Sequence, residues 1–250
     1  MSQLKSKKFE KFEFLIGADP ELFVKDIYSR EFVSAHDLIP GTKLDPHYID
    51  GGAIQVDGTA LEFNIDPSPT KEDFINNIYK VTGDLFKRIE GDVNTQLHIV
   101  YQPTAFFNQE YFDSLPEEAK LLGCEPDFNA YTGEINEPPS TNLPFRTAGG
   151  HIHCGWGNHF DIFDPDHINL CCDLVKQLDV LLYPASLTWD NDTERRKLYG
   201  QKGSFRPKPY GMEYRPLSCA WVETIERQEF VFDTTRFAMD LLFNKNVQVF

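Results

Sequence analysis

The sequence has little positive charge: 24 Lys and Arg residues oppose 39 Asp and Glu residues among 250, giving a formal net charge of −15. A protein that binds nucleic acid non-specifically, or that binds an anionic membrane, needs a basic surface. We therefore expect neither kind of partner. An acidic balance is common in soluble cytoplasmic proteins, and we expect a cytoplasmic location.

Cysteine is scarce as well: there are five residues, an odd number, and Cys171 and Cys172 are adjacent. This pattern excludes a disulfide framework and favours a reducing compartment. Met1 to Glu13 is rich in lysine but lacks the apolar stretch of a signal peptide, and no hydrophobic run reaches the length of a membrane span. We therefore expect neither secretion nor membrane insertion.

The glycine motifs that bind nucleotides are also missing. The sequence contains neither G-x-x-x-x-G-K-[ST] nor G-x-G-x-x-G. A bound nucleotide would therefore have to be held by metal ions and arginine side chains, not by a glycine-rich helix start.

Apolar residues are plentiful: 41% of the chain is hydrophobic, with 21 Phe and 10 Tyr, which is enough for a sizeable core. Because no internal repeat or linker is evident, we expect a single domain over residues 1–250, with a polar leader over about residues 1–11. The Asp57-Gly58 pair predicts a hairpin between strands at 53–56 and 59–65.

Helical spacing of apolar residues predicts three longer helices. One begins at Thr70, and a second begins at Asp164-Pro165. The third covers about Ala220 to Phe243, with an apolar side predicted through Trp221, Ile225, Phe230 and Phe237.

A His-x-His pair follows two glycines in the stretch from Gly149 to Trp156. Strand periodicity places His151 and His153 on one face. Two imidazoles on one face suit a metal ion or a phosphate. An ordinary strand with two half-buried histidines is the alternative.

Acidic residues recur in similar strand settings. Asp19 and Glu21 share a face around Pro20, which predicts a sheet edge or a bulge; a polar turn is the alternative. Glu62 lies mid-strand between two large apolar residues, and Glu213 shares a face with Arg215. Oxygen ligands with one imidazole favour Mg²⁺ or Mn²⁺, whereas zinc would prefer more His and Cys.

The segment from Thr193 to Arg206 carries five cations around two glycines. This composition favours a phosphate-binding loop, and a solvated basic loop is the alternative.

Five motifs in order resemble the phage-type carboxylate–amine ligases, which are related to glutamine synthetase and glutamate–cysteine ligase. The resemblance extends over about residues 14 to 243. Its motifs are Gly17-Ala-Asp-Pro-Glu21, Leu61-Glu-Phe-Asn64, Gly149-Gly-His-Ile-His153, Leu198-Tyr-Gly-Gln-Lys-Gly-Ser-Phe-Arg206 and Gly211-Met-Glu-Tyr-Arg-Pro-Leu217.

The resemblance implies an α+β fold: a curved, mainly antiparallel sheet with helices on its convex side, as in glutamine synthetase and the guanido kinases. It implies an ATP- and Mg²⁺- (or Mn²⁺-) dependent enzyme that joins a small-molecule or peptide acid to an amine through an acyl phosphate, releasing ADP and phosphate. A phage protein would act in the host cytoplasm.

The resemblance also implies roles for individual residues. The implied metal ligands are Glu21, Glu62, His151 and Glu213. The implied catalytic pair is Arg215, facing the transferring γ-phosphate, and Glu213. The residues implied to bind nucleotide, phosphate or the acid substrate are Arg196, Lys202, Arg206, Arg215 and His153, and those implied to bind substrate are Asp127, Asn129 and Arg146.

One position departs from the family pattern. The family commonly has Glu-x-Glu where this chain has Asp19-Pro20-Glu21, and the shorter Asp19 leaves its role as a metal ligand open. Three other functions compete with the ligase: a guanido-kinase-like phosphotransferase, a zinc hydrolase built on His151 and His153, and a non-catalytic phage protein that binds a host factor on a ligase scaffold.

Overall fold

The computed structural model describes residues 13–91, 96–120, 127–136, 143–157 and 159–250. The predicted polar leader lies outside these residues, as do residues 121–126, which precede Asp127. The described residues form an α+β fold with a large, mainly antiparallel sheet and seven α-helices.

The strands, in chain order, are β1 (Leu15–Asp26), β2 (Phe32–Val33), β3 (His47–Ile49), β4 (Gly52–Asp57), β5 (Ala60–Ile65), β6 (Leu97–Val100), β7 (Thr104–Phe106), β8 (Asp127–Asn129), β9 (Ile135–Asn136), β10 (Phe145–Thr147), β11 (Gly150–Gly155), β12 (Ser204–Lys208) and β13 (Gly211–Tyr214). The main sheet has the order β3-β4-β5-β1-β11-β13-β12-β8-β9, with β2 and β6 also paired to β1, and β7 pairs with β10 in a separate ribbon.

The helices are α1 (Lys71–Ile89), α2 (Gln109–Ser114), α3 (Glu117–Lys120), α4 (Pro165–Leu181), α5 (Tyr183–Ser186), α6 (Thr193–Leu198) and α7 (Ile225–Met239). A 3₁₀ segment, Cys219–Glu223, precedes α7, and a π-helical turn, Asp240–Asn244, follows it. Within the described residues, no helix combines the length and apolarity that crossing a membrane requires.

Strand β1 is central to the sheet. Residues 15–20 pair with β11, residues 21–22 pair with β5, and residues 23–26 pair with β2 and β6. The prediction of a sheet edge at Pro20 is therefore wrong, whereas that of a bulge agrees with a one-residue shift in register between the Ile16–Ser68 bridge and the Glu21–Glu62 pair. Proline has no N–H to donate, but the described pairing with β5 begins only at Glu21, so β1 remains central.

One face of the sheet is covered by helices. The buried side chains of β1, such as Ala18 and Leu22, join Phe74 of α1 and Leu174 of α4 in one apolar core. Because side chains alternate along a strand, the residues between them point to the opposite face. That face carries the polar residues of β1, β5, β11 and β13.

The hairpin and the first two long helices match the predictions. Strands β4 and β5 flank Asp57-Gly58, and the Thr70 side chain accepts a hydrogen bond from the Asp73 N–H at the start of α1. Asp164 caps α4 in the same way, through the Asp166 N–H. Capping oxygens of this kind satisfy N–H groups that the first helical turn leaves unpaired.

The prediction for the last helix is partly wrong. The helix begins later, at Ile225, and three of the residues assigned to its apolar side are exposed: Ile225 at 58%, Phe230 at 39% and Phe237 at 49%. Val231, Phe232, Ala238 and Met239 are buried instead. The 3₁₀ segment shifts the helical phase, so a pattern that starts at Trp221 selects the wrong face.

Candidate active site

The open face of the sheet carries a cleft with about 820 Å³ of empty space, part of it continuous with solvent. Small-molecule sites are commonly clefts that present a few precisely placed polar groups. The acidic residues that line it are Asp19, Glu21, Asp57, Glu62 and Glu213, and the basic ones are Lys43, Arg146, Arg206, Lys208 and Arg215.

A first cluster of carboxylates consists of Glu21, Asp57 and Glu62, each of which offers one oxygen within 4.8 Å of the others. Glu21 lies directly opposite Glu62 in the β1–β5 pairing, and Asp57 ends β4. The Gly149 N–H donates to Glu21 Oε2 at 2.6 Å. The β4–β5 hairpin and the β1–β5 pairing thus bring the three acids together.

The first cluster is costly to keep charged. Burial, with repulsion from Asp57, raises the pKa of Glu21 to about 7. Burial also raises the pKa of Glu62 well above its usual value, and Asp19 and Asp57 act in the same direction. Glu62 Oε2 is buried and accepts no hydrogen bond from any described residue. Such a group is stabilised by a proton or by a cation.

A second cluster consists of Asp19, His153 and Glu213, whose ligand atoms also lie within 4.8 Å of one another. His153 lies opposite Glu213 in the β11–β13 pairing. Asp19 Oδ2 lies 3.1 Å from His153 Nε2, and Asp19 Oδ1 lies 3.3 Å from Nδ1 of His151. The two oxygens of Asp19 are thus divided between the two histidines.

The pKa values of Asp19, His151 and His153 shift in different directions. Burial opposes the charged form of Asp19, but attraction to His153 and His151 outweighs it and holds the Asp19 pKa well below its usual value. Burial, with repulsion from Arg215, lowers the pKa of His151 to about 4. For His153 the effect of burial is outweighed by attraction to Asp19, so its pKa is raised. Of the two imidazoles, His153 therefore binds a proton more readily than His151 does.

Cations surround Glu213, which is only 1% exposed. The Arg215 guanidinium donates to Glu213 and, through Nε, to Asp127 at 3.0 Å. Arg206 Nη1 and Lys208 Nζ lie 3.3 and 3.0 Å from Glu213 Oε2. Strand β12 thus aims two cations at the carboxylate that β13 contributes.

The basic segment from Thr193 to Arg206 does not act as one phosphate-binding loop in the structure. Of its five cations, only Arg206 lines the cleft. Arg196 donates to the Asp190 carbonyl and lies 3.1 Å from the Asp190 carboxylate, and Lys202 lies over the Tyr183 ring at 5.3 Å. The expected phosphate-binding roles of Arg196 and Lys202 therefore find no support in their placement.

The fully buried cation of this segment is Arg195. Its guanidinium donates to the carbonyls of Arg215, Pro216 and Leu217, the residues that follow β13. A Cβ at Gly200 (φ +74°) would lie 2.2 Å from Arg195 Nη1, so a larger residue would displace this contact. Arg195 thus stabilises the backbone that carries Arg215.

The three residues expected to bind substrate have different surroundings. Asp127 is buried and accepts hydrogen bonds from Arg215 and Asn136. Asn129 Oδ1 accepts the Tyr131 and Thr132 N–H groups, a local turn contact away from the cleft lining. Arg146 lines the cleft, and it also donates to the carbonyls of neighbouring loops.

Sequence patterns do not identify four of the lining residues: Asp57, Tyr199, Lys208 and Lys43. Asp57 is predicted only as a turn residue, because Asp-Gly indicates a hairpin so strongly. Lys208 is two residues from Arg206, so strand alternation could have identified it. No local signal points to Tyr199 or Lys43.

The donor atoms fit Mg²⁺ or Mn²⁺. The first cluster has three carboxylates and the second has two carboxylates and one imidazole, and hard divalent cations accept such sets. The unpartnered Oε2 of Glu62 is a further sign of a missing cation. The four expected metal ligands all line the cleft, but Glu21 and Glu62 fall in the first cluster, whereas Glu213 falls in the second. His151 Nδ1 lies 3.3 Å from Asp19 Oδ1 and 3.5 Å from Glu213 Oε1, so His151 adjoins the two acids of the second cluster, as His153 does.

No protein-family model matches this sequence, and no curated protein matches it significantly.

Proposed function

We propose that the chain is an ATP-dependent carboxylate–amine ligase that uses Mg²⁺ or Mn²⁺. The observation that supports it most is the pairing of two carboxylate clusters in one cleft with Arg206, Lys208 and Arg215. Asp19 and Glu21 are alternate residues of β1, so their Cα atoms lie about 6–7 Å apart along the strand, and each belongs to one cluster. This spacing suits two cations that share one polyphosphate.

In this proposal the residues of the two clusters are the metal ligands. The first cluster would contribute Glu21, Asp57 and Glu62, and the second would contribute Asp19, His153 and Glu213. The metal ions would neutralise the phosphate oxygens of the bound nucleotide.

The chemistry explains why cations are needed beside the acids. A carboxylate does not react with an amine at neutral pH because its oxygen is a poor leaving group. Transfer of the γ-phosphoryl group of ATP to the carboxylate gives an acyl phosphate, and the amine then displaces phosphate to form the amide. The protein has to align the reactants and stabilise the phosphoryl oxygens.

Three side chains of this chain suit that task. Arg215 is held by Asp127 on one side and Glu213 on the other, so its planar guanidinium is fixed before substrate binds. A fixed fork of donors matches phosphoryl oxygens better than a flexible ammonium does. Arg206 and Lys208 extend the positive surface along β12 toward the rest of the nucleotide or the acid substrate.

The finer fold is part of the same proposal. The mainly antiparallel sheet, with helices on one face and the cleft on the other, agrees with the curved sheet of glutamine synthetase and the guanido kinases. We propose that the cleft face is the concave one.

The test is a product assay with purified protein, ATP, Mg²⁺ and pooled acids and amines. A ligase of this class releases ADP and phosphate only when both an acid and an amine are present. Glu213→Gln, prepared in parallel, should lose this release and so exclude a contaminating ATPase. AMP as the stoichiometric product, or ADP formed with a phosphorylated guanidino product, would refute the ligase. Peptide or ester hydrolysis with zinc and without ATP would also refute it.

A further inference from the structure

Each histidine of the pair is bonded to a tyrosine through the ring nitrogen that points away from Asp19. The Tyr199 hydroxyl lies 3.2 Å from His151 Nε2, and the Tyr210 hydroxyl is hydrogen-bonded to His153 Nδ1. Asp19 faces the other nitrogen of each ring. Each imidazole thus has a tyrosine hydroxyl at one ring nitrogen and the Asp19 carboxylate near the other, and His153 Nε2 makes no hydrogen bond to a described residue.

Tyr210 is held firmly in place. It lies in the turn between β12 and β13, where its carbonyl accepts the Trp156 N–H at 3.0 Å. The next residue, Gly211, has φ +151°, and a Cβ there would lie 2.0 Å from the Cys154 carbonyl oxygen. The backbone of the turn therefore approaches β11 closely. The Tyr210 ring also stacks on His153, with 5.9 Å between centroids and 29° between planes.

We propose that Tyr210 is a positioning residue of the second cluster, whose hydroxyl holds His153 Nδ1 so that Nε2 faces Asp19 and a divalent metal ion. The inference rests on the metal site of the proposed function. A histidine that ligates a metal usually donates its other N–H to a fixed acceptor, which sets the ring orientation and raises ligand basicity. The tyrosine oxygen accepts the Nδ1 proton and leaves Nε2 as the only nitrogen available to the metal.

The test is Tyr210→Phe, which removes the hydroxyl but keeps the ring that stacks on His153. Mn²⁺ is titrated into the metal-free protein, and binding is followed by electron paramagnetic resonance. Losing such a partner commonly weakens metal binding by about 10–100-fold, and we expect this loss at one of two sites. Pulsed measurements should show histidine nitrogen coupling to Mn²⁺ in the wild type and a weaker or altered coupling in the variant. Unchanged binding at the other site reports that the variant is folded.

Tyr214→Phe is the matched control. Tyr214 is buried on the neighbouring strand, and its hydroxyl donates to Asp179 at 2.7 Å, outside the cleft lining. We expect this variant to have a lower Tm with Mn²⁺ binding unchanged. Wild-type affinity and coupling in Tyr210→Phe would overturn the positioning role.

Failure of the two proposals can be told apart. Wild-type protein that shows histidine-coupled Mn²⁺ and a Tyr210→Phe defect, but never turns over ATP with acids and amines, would refute the ligase alone. A Tyr210→Phe variant with normal Mn²⁺ binding and normal turnover would refute the positioning role alone. Wild-type protein that binds no Mn²⁺ would refute both.

Discussion

Replacing Glu21 with glutamine would remove one of the three acids of the first cluster with almost no change in shape. In the metal-free protein these carboxylates repel one another inside a buried site. Burial, with repulsion from Asp57, raises the pKa of Glu21 from 4.5 to about 7. Burial also raises the pKa of Glu62 well above its usual value. The cluster should therefore destabilise the metal-free fold at neutral pH.

The magnitude follows from linkage. One pKa unit corresponds to about 1.4 kcal/mol, so the shift of Glu21 costs about 3 kcal/mol of unfolding free energy once that carboxyl is charged. Because the folded-state pKa lies above the unfolded one, this cost is absent below pH 4.5, grows as the pH rises, and is complete above about pH 7. We expect Glu21→Gln, which removes the shifted carboxyl itself, to stabilise the metal-free protein by about 3 kcal/mol at about pH 8, and by much less at about pH 5.

The assay is urea unfolding of both proteins at the two pH values, first with a chelator and then with Mg²⁺. A ligand at a hundredfold excess over its Kd stabilises the folded state by about 2.7 kcal/mol. Mg²⁺ should therefore restore the unfolding free energy that the wild type loses through its charged cluster, and it should stabilise the variant less. Glu118→Gln, at an exposed site, is the control and should change neither series. A Glu21→Gln variant that is less stable than wild type at the higher pH in the presence of chelator would refute the reasoning.

Three further substitutions test the cleft. Arg215→Lys should lower kcat by about 10²–10³-fold, the scale of losing a preorganised donor. It should also lower Tm, because Arg215 is buried between Asp127 and Glu213. A lower Tm with normal kcat would leave Arg215 only a structural role. Asp57→Asn should weaken Mn²⁺ binding at one of two sites, and unchanged titration curves would exclude Asp57 as a ligand. Arg206→Gln should raise the KM for ATP, whereas Arg196→Gln should not, because Arg196 forms an ion pair with Asp190. Equal effects of the two variants in steady-state kinetics would contradict the assignment of Arg206 to the nucleotide site.

Local chemistry determined much of the secondary structure. The Asp57-Gly58 hairpin needs only the turn geometry of its own residues, and α1 begins at Thr70 because its side chain caps the first turn. Strand alternation alone placed His151 and His153 on one face, and both now face Asp19. These features depend on residues a few positions apart, so periodicity was enough to predict them.

Only the tertiary structure decided which residues share the cleft. Asp57 joins Glu21 and Glu62 because β1 pairs with β5, and no local pattern specifies that partner. Arg206 faces Glu213 across β12 and β13, whereas Arg196 finds Asp190 instead. A charged side chain settles on the counter-charge that long-range strand pairing and helix packing bring within reach. The sequence can therefore indicate a site of acids, histidines and arginines, but the division into two clusters arises when the strands assemble.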